Sequence, residues 1–451
     1  MTAKIVHVVG GGLAGCEAAW QVLKAGLEVR LYEMRPTKMT EAHNTGALAE
    51  LVCSNSLKSS NPDSAPGLLK QEMLSFDSLI IQAAQAAAVP AGQALAVERE
   101  VFSKNIEDAL TAFPGFKKVS AEVMDLPRPE DMSPDEAWIV ATGPLTSQAM
   151  MESLQALCPG HKKLHFYDAI APILEAESID QAIAFKASRY EEGEGDYLNL
   201  PLNKEEYEAF VDAVIAAEKM PLHDFEDVRY FESCLPVEVM IERGRETLRF
   251  GPMKPMGLID PRTGRRPWAA VQLRMENKEG TMYSMVGFQT KMKWPEQKRV
   301  FSMIPGLGSV EFFRYGSIHR NSYLKSPEVL QGDLSFRGAS SIFLAGQITG
   351  VEGYVESAAI GLLAGRAASA RLLKKEWQMP PKGTLLGALA SYVTEGGLGE
   401  FQPMNANLGL LAPIPKQKGR SKIERKALQA EAARECFAEY RQQVESAQVA
   451  H

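Results

Sequence analysis

An α/β fold built around a buried parallel sheet is predicted by three features near the start of the sequence. Residues 4–10, KIVHVVG, form a short β-branched run of the kind that buried parallel strands show. A glycine-rich segment follows at once and leads into GCEAAWQVLKAG, a predicted helix that ends at Gly26. LEVRLYEM then alternates apolar and polar residues as the next strand. A strand, glycine-rich turn, helix and strand in this order within about 30 residues form the unit that binds dinucleotides.

The glycine-rich segment, Gly10-Gly11-Gly12-Leu13-Ala14-Gly15, matches the spacing GxGxxG. The first glycine permits the tight turn, the second lets a pyrophosphate approach the backbone, and the third lets helix and strand pack closely. Free N–H groups at the start of the helix then face the phosphates. Glu33 ends the second strand 18 residues after Gly15, near the spacing of about 20 expected for an acid that binds a ribose. Such a glycine motif alone is weak evidence, but the full succession of elements favours a nucleotide site over a structural turn.

Two later segments favour FAD over NAD as the dinucleotide. A carboxylate at Glu33 suits a free ribose and disfavours a 2′-phosphate. Ala141-Thr142-Gly143 ends a buried strand, and a second such strand ends at Gly346-Gln347, followed by Gly350, Glu352 and Gly353. In flavoproteins with two dinucleotide-binding folds, distant strand ends of this kind complete the flavin site. The sequence therefore predicts a Rossmann-type FAD-binding domain of that superfamily.

The order of the remaining segments predicts an inserted mixed α/β domain. We expect an irregular loop over 40–66, one amphipathic helix over 68–87, a helix at 102–113, a loop-rich stretch over 378–413 and a charged helix over 421–447. The pattern changes near residue 179 to charged helices and strands interrupted by Pro and Gly, and it reverts near residue 319. The predicted division is 1–178 and 319–375 for the two parts of the FAD-binding domain, 179–318 for the insertion and 376–451 for the tail.

Composition excludes several classes of protein. The chain has 451 residues, 45% of them hydrophobic, and a formal net charge of −7. No apolar stretch of about 20 residues could span a bilayer, and the first residues do not resemble a secretory signal. Five scattered cysteines form no CxxC pair, so neither a zinc site nor a disulfide framework is indicated. We expect a cytoplasmic protein that binds no membrane and no metal.

Two basic stretches oppose the acidic balance of the chain and could form a face for RNA. One runs from Arg243 to Arg299 and the other from Lys416 to Lys426. Solvated surface charge is the simpler interpretation of either stretch.

Two cysteines are candidate catalytic residues. Cys53 lies in LVCSNS, in the polar loop after the second strand, where α/β folds place ligands. Cys234 lies in FESCLP, within the predicted insertion. A thiolate beside a flavin can be a nucleophile or a redox partner, whereas an inert buried thiol is the common alternative.

The chain resembles the folate- and FAD-dependent tRNA uracil-5-methyltransferases from about residue 4 to residue 375. The segments that carry the resemblance are GGGLAGCEAAW, AELVCSNSLKS, ALAVERE, WIVATGPLTS, ESCLPVEVM, GPMKPMGL, GFQTKMKWPEQKRVFSMIPGL, RYGSIHRNSY and FLAGQITGVEGYVESAA. A related, larger flavoprotein that modifies the wobble uridine has an SCNP-type motif where this chain has Cys53-Ser54-Asn55-Ser56. It also lacks the RYGSIHRNSY stretch.

The resemblance implies methylation of uridine 54 in the tRNA T-loop. Methylenetetrahydrofolate would supply the carbon, and FAD recharged by NADPH or NADH would supply the reducing equivalents. Cys53 and Cys234 would be the catalytic pair, and the place of Cys234 in the insertion favours it as the thiolate that attacks the base. Arg314, His319, Arg320 and Asn321 are candidates for binding folate or RNA, with ordinary loop polarity as the alternative.

Three other functions stay open on sequence grounds. The same chemistry could act on ribosomal RNA, the flavin could serve a small-molecule oxidoreductase, or FAD could stabilise a non-catalytic RNA-binding protein. The sequence also leaves open the oligomeric state, a homo-oligomer included, and the role of the tail.

Overall fold

A computed structural model describes residues 3–158, 163–189, 195–220, 235–397, 401–414 and 421–449. Its first sheet has six strands in the order β16-β17-β7-β1-β2-β6. These strands are β1 (Ile5–Val9), β2 (Glu28–Glu33), β6 (Phe116–Ser120), β7 (Glu136–Val140), β16 (Ser335–Phe336) and β17 (Ala339–Leu344). All neighbours in this sheet are parallel except β16 and β17. The predicted parallel sheet is therefore confirmed.

The register brings the carboxyl ends of four strands to one edge of this sheet. Val9 of β1 is opposite Tyr32 of β2 and Val140 of β7, and Val140 is opposite Leu344 of β17. The segments that follow these strands are the glycine-rich turn, the Glu33 region, residues 141–143 and residues 345–347. Ligands of α/β folds bind at this edge.

Helices α1 (Leu13–Lys24) and α11 (Tyr354–Leu373) pack against each other at very close range. A Cβ on Gly361 would lie 2.2 Å from the backbone oxygen of Ala14, and one on Gly365 would lie 2.6 Å from that of Ala18. The small residues of α11 are therefore needed for the two helices to meet.

The single helix predicted over 68–87 is wrong, because the structure has two helices there. They are α2 (Ala65–Leu74) and α3 (Leu79–Ala86). Asp77 between them has a φ of 60°, and the Ser78 hydroxyl accepts a hydrogen bond from the Ile81 amide as the cap of α3. The apolar pattern runs through the break, so periodicity alone could not reveal it.

The predicted helix at 102–113 is confirmed as α4 (Arg99–Thr111). A small antiparallel sheet of order β3-β5-β4 lies before it, formed by β3 (Ser56–Ser59), β4 (Ala88–Val89) and β5 (Ala94–Val97). After β7 comes α5 (Gln148–Leu157).

A second, antiparallel six-stranded sheet has the order β10-β11-β12-β13-β9-β14. Its strands are β9 (Ile173–Glu175), β10 (Phe185–Lys186), β11 (Leu198–Leu202), β12 (Ala269–Met275), β13 (Met282–Met285) and β14 (Phe312–Arg314). Helices α6 (Lys204–Ala216), α7 (Val237–Glu242), α8 (Thr247–Phe250) and α9 (Trp294–Phe301) accompany it around a separate hydrophobic core. Strands β8 (Lys163–Ile170) and β15 (Ser317–Leu324) pair as an antiparallel ribbon beside this region. The domain bounds stay a prediction.

The last part of the chain packs onto the first core. It contains α10 (Ser326–Val329), α12 (Leu385–Glu395) and α13 (Lys422–Val449). The stretch expected to be loop-rich contains α12, whose first amides donate to the buried Glu72 carboxylate at 2.9 and 2.7 Å. In α13, Phe437 and Tyr440 pack against Phe76. Within the described ranges, no helix is long and apolar enough to cross a membrane.

Candidate functional site: a dinucleotide cleft beside Cys53

The glycine-rich turn has the geometry predicted for each glycine that it uses. Gly10 has a φ of 104°, and a Cβ there would lie 2.4 Å from the backbone oxygen of Ala141. A Cβ on Gly15 would lie 1.8 Å from the backbone oxygen of Gly10. A Cβ on Gly12 would meet no protein atom within 4 Å. Gly10 and Gly15 are thus required by packing, whereas Gly12 borders open space.

Glu33 is held in a buried ion pair at the wall of the cleft. Its Oε2 accepts hydrogen bonds from the Gly11 amide at 2.8 Å and from Arg35 Nη2 at 3.0 Å, and its Oε1 accepts one from Arg35 Nε at 2.9 Å. Burial opposes the charged form, but the hydrogen bonds and charge of Arg35 outweigh it and hold the pKa of Glu33 below its usual range. Arg35 also pairs with Glu50 at 2.9 Å. The carboxylate of Glu33 is therefore ionised and fixed in position.

The predicted segments meet around one cleft at the edge of the first sheet. The space between its walls, including solvent at the open mouth, is about 1040 Å³. The predicted residues that line it are Gly10, Gly11, Gly12, Leu13, Ala14, Glu33, Thr142, Gly143, Gly346 and Gln347. Gly15, Gly350 and Glu352 do not line it; Gly15 supports the turn, and the other two lie in the turn before α11.

Several lining residues were not named by the sequence analysis, although some of them lie in segments that it quoted. They are Arg35, Thr40, His43, Glu50, Thr146, Ser147, Tyr354 and Ser357. Most follow a strand that was already predicted to reach this edge. Tyr354 and Ser357 belong to the first turns of α11, a helix that was predicted without its role at the cleft.

FAD fits the residues of this cleft. The first amides of α1 have no side-chain cap and no acidic residue in the first turn, so they are available for a phosphate. Open space borders both Gly12 and Gly143, and the lining extends from these residues to Tyr354 at the start of α11. A dinucleotide needs this combination of an uncapped helix start, approachable glycine backbone and an extended cleft.

The backbone of Cys53 is hydrogen-bonded to a residue that lines the cleft. Its amide donates a hydrogen bond to the Tyr354 hydroxyl at 2.7 Å, and the Ser54 amide donates to the same oxygen at 3.2 Å. Burial, together with the nearby Cys53 side chain, raises the pKa of Tyr354, which keeps this phenol neutral. The neighbour Val52 lines the cleft, and Cys53 itself is half-buried. This cysteine therefore lies beside the cleft, and its catalytic role stays a prediction.

Buried polar residues from distant parts of the chain surround the Cys53 loop. Arg99 donates through Nη1 to the Leu51 carbonyl and through Nε to Glu276 at 2.8 Å. Arg274 donates to Asn55 Oδ1 at 2.9 Å, and the side-chain Nδ2 of Asn55 donates to the Met275 carbonyl at 3.0 Å. Sequence reasoning missed these residues, since none of them belongs to a motif of known spacing.

The predicted substrate residues lie on or next to β15. Arg314 ends β14 and is partly buried, and Asn321 is 2% exposed. The Ser322 amide donates to the Pro144 carbonyl at 2.9 Å, so β15 contacts the segment that lines the cleft. The side chains of His319 and Arg320 are outside what the structure describes. Cys234 is also outside the described residues, so its position relative to Cys53 stays a prediction.

Two of the other cysteines are enclosed by the fold. Cys16 donates to the Gly11 carbonyl at 3.3 Å, and Cys158 donates to the Leu154 carbonyl at 3.0 Å. Burial raises the pKa of both thiols. They are packing residues rather than nucleophiles.

Many cations of the stretch from Arg243 to Arg299 are paired with carboxylates. Arg245 pairs with both Glu208 and Asp212 at 2.8 Å, and Lys293 pairs with Glu218 at 2.8 Å. Such pairs reduce the positive charge that this surface offers. Lys416, Lys418 and Arg420 of the second cluster lie outside the described residues.

Comparison with known proteins gives one consistent family. The family model "Glucose inhibited division protein A" matches residues 5–376. The methylenetetrahydrofolate–tRNA-(uracil-5-)-methyltransferase TrmFO of Moorella thermoacetica is 53% identical over 437 residues, which are 97% of this chain and 98% of the relative. The protein of the same name from Geobacter sulfurreducens is 53% identical over 429 residues, covering 94% of this chain and 97% of the relative.

The crystal structure of Aquifex aeolicus GidA (form II) is similar in fold, with a TM-score of 0.67 at 15% identity over 96% of this chain and 74% of that chain. This likeness confirms the predicted fold class. Because the family model covers most of the chain and close relatives align with nearly all of it, the protein belongs to the GidA family, in its branch of methylenetetrahydrofolate–tRNA-(uracil-5-)-methyltransferases.

Proposed function

We propose that this protein methylates C5 of uridine 54 in the T-loop of tRNA, with methylenetetrahydrofolate as carbon donor and NADPH or NADH as reductant. The observation that carries the proposal is the place of Cys53. Its amide is bound to a tyrosine that lines the dinucleotide cleft, in a chain that is 51–53% identical to eight methyltransferases of this kind.

The cleft supports the cofactor part of the proposal. The uncapped start of α1 and Gly12 would hold the FAD pyrophosphate, and the fixed carboxylate of Glu33 would accept a ribose hydroxyl. When bound there, FAD supplies the one-carbon carrier and the reducing equivalents of the reaction.

Two cysteines suit the chemistry at the base. Uracil C5 is a poor nucleophile until a thiolate adds to C6, which moves the C5=C6 electrons toward C4–O and makes C5 reactive. After C5 has bonded to the methylene carbon, a base removes the C5 proton, and the thiolate leaves C6 as the double bond reforms. The bond between the methylene carbon and its carrier would then break, and a hydride equivalent from NADPH or NADH would complete the methyl group. Cys234 would be the nucleophile and Cys53 the group that handles the proton beside the cleft. This division of roles rests on the predicted place of Cys234 in the insertion, where it would meet RNA, and on the position of Cys53 beside the cleft.

A product assay tests the proposal. Purified protein that shows the yellow flavin spectrum is incubated with unmodified tRNA, methylenetetrahydrofolate and NADPH, and the digested RNA is analysed for 5-methyluridine by mass spectrometry. We expect the product at position 54 with wild type and a loss of at least about 100-fold with Cys53→Ala and Cys234→Ala, since positioned acid–base groups alone contribute about 10²–10⁴.

Cys436→Ala is the matched control, because this half-buried thiol faces Gly383 in the tail region and should leave the product unchanged. Flavin reduction without 5-methyluridine on tRNA would contradict the proposal. Product on ribosomal RNA instead would move the same chemistry to that substrate.

The proposed RNA face is tested by salt. Each phosphate contact lowers the logarithm of the binding constant by about 0.9 per logarithmic unit of salt. We expect tRNA binding to weaken steeply between low and moderate salt. Affinity that stays flat across salt would argue against a basic face, and the many ion pairs of the Arg243–Arg299 stretch make this a demanding test.

A further inference from the structure

The charged side chain of Arg314 has buried hydrogen-bond donors that the described residues leave unpaired. Its Nε and Nη2 are both buried, and neither has a hydrogen-bond partner among the described residues. A guanidinium stays protonated in proteins, and leaving its donors unpaired out of water is costly. Two other buried arginines do not bear this cost: Arg35 binds two carboxylates, and Arg274 binds Asn55.

A second arginine shows the same incomplete pairing. Arg99 uses Nε and Nη1 for Glu276 and the Leu51 carbonyl, but its buried Nη2 meets no hydrogen-bond partner within the described part of the chain. The charge of Arg99 acts on Arg314 and, together with burial, lowers the pKa of Arg314, against smaller opposing effects of Glu276, Tyr354 and Cys53. The two unpaired guanidinium edges therefore belong to one neighbourhood, which also holds Cys53.

Among the described residues, the cations that act on one another in this neighbourhood outnumber the carboxylates. Arg99, Arg274 and Arg314 supply three cations, whereas Glu276 is the carboxylate that acts on all three. A partly buried group of this composition favours an anion, because Coulomb attraction is strong where water is sparse.

The free edge of Arg314 also indicates the shape of that anion. Nε and Nη2 lie on the same side of the guanidinium, so their N–H bonds are parallel and match two oxygens of one group. A phosphodiester or a carboxylate offers two such oxygens. A single carbonyl or enolate oxygen does not.

The chemistry of the proposed reactants leaves one source for such a group near Cys53. The FAD phosphates belong at the glycine-rich turn, and the carboxylates of folate lie on its glutamate tail, far from the carbon it donates. The uridine that reacts beside the cysteine carries its own phosphate. Resting on the function proposed above, we propose that Arg314, assisted by Arg99, binds the phosphodiester of the target uridine and so places its base beside Cys53.

Replacement of Arg314 by methionine tests this role. Arg314→Met keeps much of the side-chain volume and removes a charge whose buried Nε and Nη2 have no hydrogen-bond partner in the ranges that the structure describes. We expect its melting temperature to equal or exceed that of wild type, because burying an unpaired charge is costly, and we expect its flavin content to be unchanged. The dissociation constant for unmodified tRNA should rise about 10- to 100-fold, as expected for loss of hydrogen bonds to a charged group.

The salt dependence and the kinetics make the assignment specific. For Arg314→Met, the slope of log binding constant against log salt should become shallower by about 1, the contribution of one phosphate. KM for tRNA should rise in parallel with the dissociation constant, and kcat at saturating tRNA should change little. Arg314→Lys should recover part of the affinity, since lysine keeps the charge but cannot bind two oxygens in a bidentate manner. Arg337→Met, at an exposed arginine, is the matched control and should match wild type.

Three results would overturn the inference. They are an unchanged affinity and salt slope in Arg314→Met, a fall in kcat at unchanged affinity, and a loss of thermal stability or flavin that would indicate a structural role. Binding is measured by fluorescence anisotropy without turnover, so a wild type that binds tRNA but makes no 5-methyluridine would count against the proposed function and leave the Arg314 result readable.

Discussion

The two halves of the site differ in how their charged groups are satisfied. At the dinucleotide cleft, Glu33 and Arg35 bind each other and the backbone before any ligand is involved. Near Cys53, Arg99 and Arg314 keep buried donors that have no partner among the described residues. The first arrangement is a rigid part of the fold that a tightly held cofactor can join. According to our proposal, the second would be completed by the substrate, which binds and leaves in each turnover.

We expect the largest effect from Gly15→Ala, which tests whether the dinucleotide cleft is a rigid part of the fold. The added Cβ would lie 1.8 Å from the Gly10 carbonyl oxygen, so α1 would have to leave β1. We expect a loss of more than about 3 kcal/mol, above the usual cost of overpacking, with poor soluble yield and no bound flavin. Thermal melts and the flavin-to-protein absorbance ratio would measure it.

Gly12→Ala is the matched control for this change. Gly12 has a φ of −77°, and its Cβ would meet no protein atom within 4 Å. The variant should melt like wild type and lose only flavin affinity. If both variants unfold alike, the distinction between packing glycines and a cleft glycine is wrong.

The comparison itself is tested by replacing one arginine from each half. Arg35→Met leaves the buried Glu33 carboxylate without its partner, and we expect it to destabilise the protein by about 3–5 kcal/mol, as for other broken buried pairs. Arg314→Met should not destabilise it. Urea or thermal unfolding of both variants in one buffer gives the answer, and equal losses would mean that Arg314 is a structural residue after all.

Glu72 gives a smaller effect that depends on pH. Burial raises the pKa of Glu72 to about 7, despite the two α12 amides that favour its charged form. An acid whose folded pKa lies above its unfolded value of 4.5 binds the proton more tightly in the native state, so its ionisation destabilises the fold as pH rises from about 4.5 to 7. The shift corresponds to about 3 kcal/mol at most.

Glu72→Gln should remove this part of the pH dependence, because the side chain then carries no charge, while its single amide oxygen can still accept from one of the two α12 amides. The unfolding free energies of wild type and variant should be similar at pH 5. At pH 8 they should differ, with the variant more stable. A constant difference between the two proteins across this range would show that Glu72 does not titrate there.

The sequence predicted the first half of the site far better than the second, for a physical reason. A glycine-rich turn is specified by local backbone geometry, so Gly10 to Gly15 and Glu33 carry their spacing in the chain itself. The polar residues around Cys53 include Arg99, Arg274 and Arg314, which come from three separate elements. No local sequence pattern relates these three arginines. Their pairing depends on the tertiary structure.

The same distinction between local and tertiary determinants explains where the predicted fold was wrong. Alternating and β-branched strands at the parallel sheet were predictable, because burial on both faces leaves a continuous apolar run. The break at Asp77 was not, since it depends on a single left-handed residue. Helix α12 does have a local cap, because the Thr384 hydroxyl accepts from the Gly387 amide, but its first two amides donate to Glu72, more than 300 residues earlier in the chain.

The smallest expected effect concerns the connection between the two halves, which runs through Tyr354. Its hydroxyl accepts hydrogen bonds from the amides of Cys53 and Ser54, and the ring lines the cleft. Tyr354→Phe keeps the ring and leaves these amides without an acceptor, which should cost about 1–3 kcal/mol in unfolding free energy. Flavin content should stay near that of wild type, while the rate of 5-methyluridine formation falls because the Cys53 loop is no longer fixed to the cleft. A variant that loses flavin and keeps its rate per bound flavin would show that Tyr354 serves the cofactor and does not position Cys53.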